Sequence, residues 1–335
     1  MEKKWHFISG IDVSKKTFDA ALSTKNSDLL LCKAKFSNTL KGFDKYLKWL
    51  SDQNVKRSDM LVCMENTGIY NRLLVEYLLS KNIFVWVETP LEIKWSSGIQ
   101  RGKSDTIDSE RIMAYAYRYQ DKARNYEPKQ DTIRQIADFL SLRSRLQQCI
   151  QVLKVPIKEL RSIGLIEDSK RLEEASIKSI STLQEELGEL DIKILALIEN
   201  DTKVKEIYEI VTSVRCVGYV TAVYLLVYTN GFTKFKSAKQ LACYSGIAPF
   251  ENSSGTSIRG RTKVHHMGNK NLKTILHMCA VSSIRHNPEM KKYFSRKVAQ
   301  GKNKMLVINS VRNKIVARVF SCVQNKRHYT DNYAA

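Results

Sequence analysis

The feature that most constrains this chain is its first apolar run, residues 7–22, FISGIDVSKKTFDAAL. It reads as a strand over Phe7–Val13, a short polar turn, and a second strand over residues 17–22. Inside the first strand sits an acid, Asp12. A carboxylate among core residues is costly unless a cation or a cluster of hydrogen-bond donors meets it. Taken alone, Asp12 reads either as a cap on the turn at Ser14 and Lys15 or as a metal ligand. Further carboxylates at suitable places would decide between the two.

They arrive in order. Residues 29–36 form a candidate third strand and residues 40–50 an amphipathic helix. Residues 59–64 (DMLVCM) make a short buried-type strand that ends directly at Glu65. A turn at residues 66–68 leads to a helix over 70–80 and another strand over 83–87, closed by Thr89 and Pro90. This order implies a mixed sheet covered by helices, an α/β domain. After a polar loop at 96–103, Ser104 is the expected N-cap of a helix reaching Tyr119. Asp105 and Asp108 lie three apart in its first turn and share one face. A helix N-terminus tolerates acids through its macrodipole, which accounts for one of them comfortably.

Residues 131–205 are helical throughout. Phe139, Leu142, Leu146, Cys149 and Leu153 form one 3,4-spaced seam; Ile180, Leu183, Leu187, Leu190, Ile194 and Leu197 form another. Pro156 and Gly164 are expected to break the pattern between them. An antiparallel hairpin and pairing between subunits both fit this coiled-coil arm. Residues 211–227 read as helix, glycine turn at Gly218, helix, where backbone N–H groups could meet a DNA phosphate. A helix at 237–244 precedes Gly246, Pro249 and a loop over 251–260 (ENSSGTSIRG); the remainder to about residue 323 is helical and basic. The expected division is 1–130, an α/β domain; 131–205, the arm; and 206–330, a mainly α-helical domain.

Charge separates these regions. Of the net +21, the last 90 residues hold 17 Lys or Arg against 3 Asp or Glu, two-thirds of the excess. A basic block studded with apolar residues is a folded polyanion-binding surface, with nucleic acid the expected partner and an acidic membrane surface the weaker alternative. The seven cysteines, with no C-x-x-C pair, read as reduced thiols of a cytoplasmic protein. No signal peptide is visible, and the longest apolar run, residues 220–228, is too short to span a bilayer.

Set together, Asp12, Glu65, Asp105 and Asp108 follow the pattern of an RNase H/RuvC-type nucleotidyl-transfer site. Phosphodiester displacement builds negative charge on the attacking and leaving oxygens, and two Mg²⁺ held by several carboxylates stabilise it. A second candidate is Ser254, before Gly255 and near Arg259, Arg261 and Lys263. A hydroxyl there could attack a phosphate that the cations stabilise, although S-S-G is also ordinary loop sequence. Lys270 and Lys273, near the start of a helix over 269–284, are further candidate nucleic-acid contacts. His265, His266, His277 and His286 lack zinc-site spacing, so phosphate contact or a structural role suits them better.

These motifs resemble the DEDD transposases of the insertion sequence 110 family, which includes pilin-gene inverting recombinases. The likeness rests on GIDVSK, ENTGIYN and KSDTIDSERIMAYA in the first part, and on FKSAKQLACYSGIAP, NSSGTSIRG and MGNKNLKTILHMCA in the last. It implies a RuvC-like domain with Asp12, Glu65, Asp105 and Asp108 as the metal-binding tetrad, and a C-terminal transposase domain with Ser254 as nucleophile, forming a covalent phosphoserine link. It further implies donor and target DNA, a structured bridge RNA as guide, and a dimer or tetramer whose acids and serine complete one another's sites. Two departures stand out: Arg215 and Cys216 replace the proline and first glycine of the family's IPGIG-like turn, and Ser109 follows the last acid. The alternatives are a RuvC-like nuclease using metal-activated water, or a non-catalytic architectural protein.

Overall fold

The computed structural model describes residues 5–25, 29–96, 105–254, 258–264 and 267–330, with the side chains of 105–107 and 251–263 outside that description. Two compact units divide the chain, Met1–Pro128 and Lys129–Ala335.

The first unit is built on five strands: β1 (Phe7–Val13), β2 (Thr17–Thr24), β3 (Cys32–Ser37), β4 (Met60–Glu65) and β5 (Phe84–Glu88). Their order is β3-β2-β1-β4-β5; the first three are antiparallel neighbours, and β4 and β5 run parallel to β1. Parallel neighbours require crossovers, here α1 (Leu40–Asp52) before β4 and α2 (Arg72–Ser80) before β5. This is the mixed sheet covered by helices that the order of elements implied.

Alternation sorts the two faces. Ile11, Val13, Phe18, Met60, Val62, Met64 and Val85 pack with Phe43 and Tyr46 of α1 and with Leu74 and Leu78 of α2. On the other face Ile8, Ala21, Leu61, Cys63 and Trp86 meet Ile112, Met113, Tyr115 and Ala116. Those four belong to α4 (Asp105–Arg118), which follows α3 (Pro90–Ser96). β5 ends at Glu88, before Thr89 and Pro90 as the sequence reading had it, and α3 is an element that reading did not foresee; proline, with its preset φ, starts it. Ser104, the expected cap of α4, lies outside the described residues.

The second unit opens with α5 (Asp131–Ser162) and α6 (Ile166–Glu199), packed side by side. Arg143 pairs with Asp191 at one end and Arg161 with Glu173 at the other, so the two helices are antiparallel. Gly164, at φ +89°, makes the turn between them. Pro156 does not interrupt α5, contrary to the sequence reading; it sits on the exposed face of a continuous helix. The seam of α5 also differs: Ile136, Leu140, Ile150 and Ile157 are buried, whereas Leu142 and Cys149 are exposed. Both registers have 3,4 spacing, and only the position of α6 and the C-terminal helices selects one.

The base of the hairpin (Ile133, Ile136, Leu140, Ile194, Ile198) shares one core with the helices that follow. These are α7 (Thr202–Ser213), α8 (Tyr219–Thr229), α9 (Ala238–Tyr244), α10 (Lys270–His286), α11 (Pro288–Ala299) and α12 (Lys304–Gln324). Between α7 and α8 the turn differs from expectation. Gly218, at φ −86°, is ordinary extended backbone, and the left-handed residue is Cys216, at φ +68°. A second correction concerns residues 251–260, expected as a loop. They belong largely to an antiparallel hairpin, β6 (Pro249–Ser254) and β7 (Ile258–Val264), with a register shift between Phe250 and Asn252. Among the described residues no helix is long and apolar enough to cross a membrane.

Candidate active site

The acidic site grows out of strand register. Ile11 lies opposite Met64 in the parallel ladder, so Asp12 is next in line beside Glu65. Glu65 in turn pairs with Glu88 of β5, and Asp12 with Asp19 of β2. Residues facing one another across a ladder point to the same side of the sheet. Because Ile8, Ala21, Leu61, Cys63 and Trp86 face α4, period-2 alternation puts Asp19, Asp12, Glu65 and Glu88 on that face too. Four adjacent strands, about 4.8 Å apart, thus carry one row of carboxylates at the edge of an apolar surface.

α4 lies over this row because Gly10 lets it. A Cβ on Gly10 would sit 2.2 Å from the amide nitrogen of Met113 and 2.4 Å from the carbonyl oxygen of Ser109. The close approach brings the first turn of α4 to the acids: burial and the neighbouring Asp108 raise the pKa of Glu65. Asp108 accepts from Arg111 at 2.8 Å. Asp105 is the first residue of α4; its side chain lies outside the described residues.

The surrounding acids are held in place. Glu88 accepts from the Thr89 amide at 2.7 Å and from the Tyr115 hydroxyl at 3.3 Å. Asp19 lies 3.5 Å from the Lys35 ammonium. Asn38 donates to the carbonyls of Ser14, at 3.0 Å, and Tyr70, at 2.9 Å, tying the loop after Asp12 to the loop after Glu65. Asn71 donates to the Glu65 carbonyl at 3.1 Å. The sequence reading passed over Glu88 and Asp19. A signal for Glu88 was present: MLVCME and FVWVE are both apolar runs ending in glutamate.

The donor chemistry of Asp12, Glu65 and Asp108, oxygen without His or Cys, suits a hard divalent cation. The raised pKa of Glu65 beside Asp108 fits as well, because a cation between like charges relieves their repulsion. Among the described residues, no three His, Cys, Asp or Glu side chains gather closely enough to hold an ion.

Ser254 is the last residue of β6, paired with Ile258; its side chain, and those of Arg259, Arg261 and Lys263 on β7, lie outside the described residues. The base of this hairpin is closely packed. A Cβ on Gly268 would be 2.1 Å from the Cα of Gly246, so the segments before β6 and after β7 touch through glycine backbones. Lys270 begins α10 and is exposed, and Lys273 is half-buried one turn later. His265 and His266 lie outside the described residues.

Comparison with known proteins follows the same division. A DEDD-type transposase model of the IS110 family matches residues 9–160, and the model described as "Transposase IS116/IS110/IS902 family" matches residues 208–295. The chain is 27% identical over 331 residues to the pilin gene-inverting protein of Moraxella lacunata, covering 96% of each. It is 29% identical over 157 residues to an uncharacterised insertion element IS110 protein of Streptomyces coelicolor, covering 47% of this chain and 38% of the other. Among solved structures, T. thermophilus RuvC in complex with a Holliday junction substrate matches 36% of this chain and 99% of its own, at 11% identity and a TM-score of 0.27. With both segments matched in order along the chain, the protein carries the transposase domains of the IS110 family, the DEDD domain first and the second transposase domain after it.

Proposed function

We propose that this transposase cuts and rejoins DNA with the carboxylates of Asp12, Glu65, Asp105 and Asp108 and the hydroxyl of Ser254. The observation that carries the reading is the row of acids on the α4 face, where burial and the nearby Asp108 raise the pKa of Glu65. DEDD-type domains work with divalent cations, and we take the one held here to be Mg²⁺. Bound at these oxygens, it would supply charge stabilisation for the attacked phosphate.

In this reading Ser254 Oγ attacks the scissile phosphorus. The bond to one strand end breaks, and the departing oxygen takes up the proton that the serine loses. A hydroxyl of the second DNA partner then attacks the phosphoserine, forming the new phosphodiester and restoring Ser254. Arg259, Arg261, Lys263, Lys270 and Lys273 neutralise backbone phosphates. Residues 1–130 form the acidic domain, 131–205 the arm and 206–330 the serine domain. The family resemblance extends the proposal to a structured bridge RNA as guide and to a homodimer or tetramer with composite sites.

The test is strand exchange followed by denaturing gels. Wild-type protein should give a covalent protein–DNA adduct that Ser254→Ala abolishes, and Asp12→Ala should block cleavage. Rejoining at the wild-type rate by Ser254→Ala would overturn the serine mechanism and leave a metal-dependent nuclease. Sequencing the nucleic acid that copurifies tests the guide.

A further inference from the structure

Among its described residues, the C-terminal unit holds a buried cation with no countercharge. Arg312, on α12, is 6% exposed. Its guanidinium meets His277 Nδ1 of α10 and, at 3.4 Å, Asn309 Oδ1, while its Nε has no partner. Among the described residues no Asp or Glu pairs with it. The half-buried arginines of this unit are treated differently: Arg134 is paired with Asp131, Arg143 with Asp191, and Arg318 with both carboxylate oxygens of Glu289. An unpaired buried guanidinium is expensive, and burial depresses its pKa accordingly. His277 must present a bare Nδ1 to accept from Arg312; burial and that same cation lower its pKa, so it stays neutral.

The surroundings are donor-rich and lead to the serine strand. Asn309 and Asn313, flanking Arg312 on α12, both donate to the Ile247 carbonyl, at 2.8 and 2.9 Å, two residues before β6 begins. On α10, Lys270, Lys273 and His277 follow the i, i+3, i+7 spacing of a single helix stripe. Lys270 is exposed and Lys273 and His277 are half-buried, so the stripe descends from solvent toward Arg312.

We propose that Arg312 and His277 form a phosphodiester-binding site at the root of the Ser254 strand, which takes a backbone phosphate of the DNA substrate. The inference rests on the reading of this protein as a DNA-rejoining enzyme, though not on the serine chemistry. The buried Nε–H of Arg312 has no partner, a donor that suits a phosphate oxygen, and the incoming charge supplies what the described residues leave out. His277 acts as a positioning residue, holding the guanidinium from its other edge.

The experiment measures binding of full-length protein to a long mixed-sequence DNA duplex as salt is varied. Arg312→Met should weaken binding about tenfold and make the slope of log affinity against log salt shallower by about 1. Arg312→Lys, which keeps the charge, should restore the slope. The Arg312→Met protein should also melt a few degrees higher, since an unpaired buried charge is gone. If that variant does not fold, Arg312→Gln carries the same measurement. Unchanged affinity and slope in a folded variant would overturn the proposal, as would a lower melting temperature with an unchanged slope, which marks a purely structural donor. A slope change seen with a structured RNA of matched length but not with DNA would overturn the assignment to DNA. Ser254→Ala should keep the wild-type slope, so loss of the adduct and loss of this phosphate contact are read separately.

Discussion

Gly10 and Glu65 show how much the acidic site demands of single residues. Any side chain at residue 10 collides with the backbone of α4 rather than with a flexible tip. Gly10→Ala should therefore destabilise the protein by about 3 kcal/mol in urea unfolding and, by lifting Asp108 away from Glu65, abolish cleavage. Glu65 carries the opposite signature. Its folded-state pKa is raised by burial and by Asp108, so the folded protein holds that proton more tightly than the unfolded chain. The stability tied to it is complete below the unfolded pKa and is lost as pH rises through the folded one. Glu65→Gln should raise the cation-free melting temperature at neutral pH and flatten that loss; a lower melting temperature would refute the repulsion. Glu88, at the β5 end of the row and gripped by Thr89 and Tyr115, should matter less directly. Glu88→Gln is expected to slow cleavage about 10-fold, the scale of a supporting residue, in single-turnover assays.

At the scale of elements, the turn between α7 and α8 carries strain that the sequence disguises. Cys216 adopts the left-handed conformation that glycine prefers, while its carbonyl accepts from the Cys279 thiol at 3.2 Å. Cys216→Gly keeps that carbonyl and removes the Cβ penalty, so it should stabilise the protein by about 1 kcal/mol in chemical denaturation. The arm depends on a polar clasp: Arg143 donates to both oxygens of Asp191, at 2.7 and 3.2 Å, and the Tyr219 hydroxyl adds a third bond at 3.0 Å. Asp191→Ala leaves Arg143 unpaired at the foot of the hairpin and should cost about 2 kcal/mol, less than a fully buried pair because Asp191 is a quarter exposed. Elements were also where sequence reading failed in instructive ways. The β6–β7 hairpin was hidden because N-S-S-G is turn composition, and strand pairing overrode it. The α5 seam was read one face away because two apolar stripes share the same spacing.

For the whole molecule, the proposed chemistry and the proposed binding draw on different charges. The row of carboxylates lies in the first unit, and two-thirds of the positive excess lies in the last 90 residues. A chelator should therefore stop cleavage while leaving DNA binding intact, measured on the same sample. Binding itself should fall by about 10³ or more between roughly 50 and 200 mM salt if six or more phosphates are engaged. A chelator that removed binding as well would place the cation in the interface rather than in the chemistry.

The sequence alone determined the alternation of strands and helices, the acids at strand ends and the basic C-terminal block, because these are local patterns of hydrophobicity and charge. It also carried the family motifs. Tertiary structure alone decided which carboxylates share a row, since register brings Asp19 and Glu88 beside Asp12 and Glu65 across gaps in the chain of up to 53 residues between ladder partners. It decided which stripe of α5 is buried and that Cys216 takes the glycine-like turn. Among the described residues it left Arg312 without a countercharge, a fact invisible in sequence because it depends on which side chains pack around it.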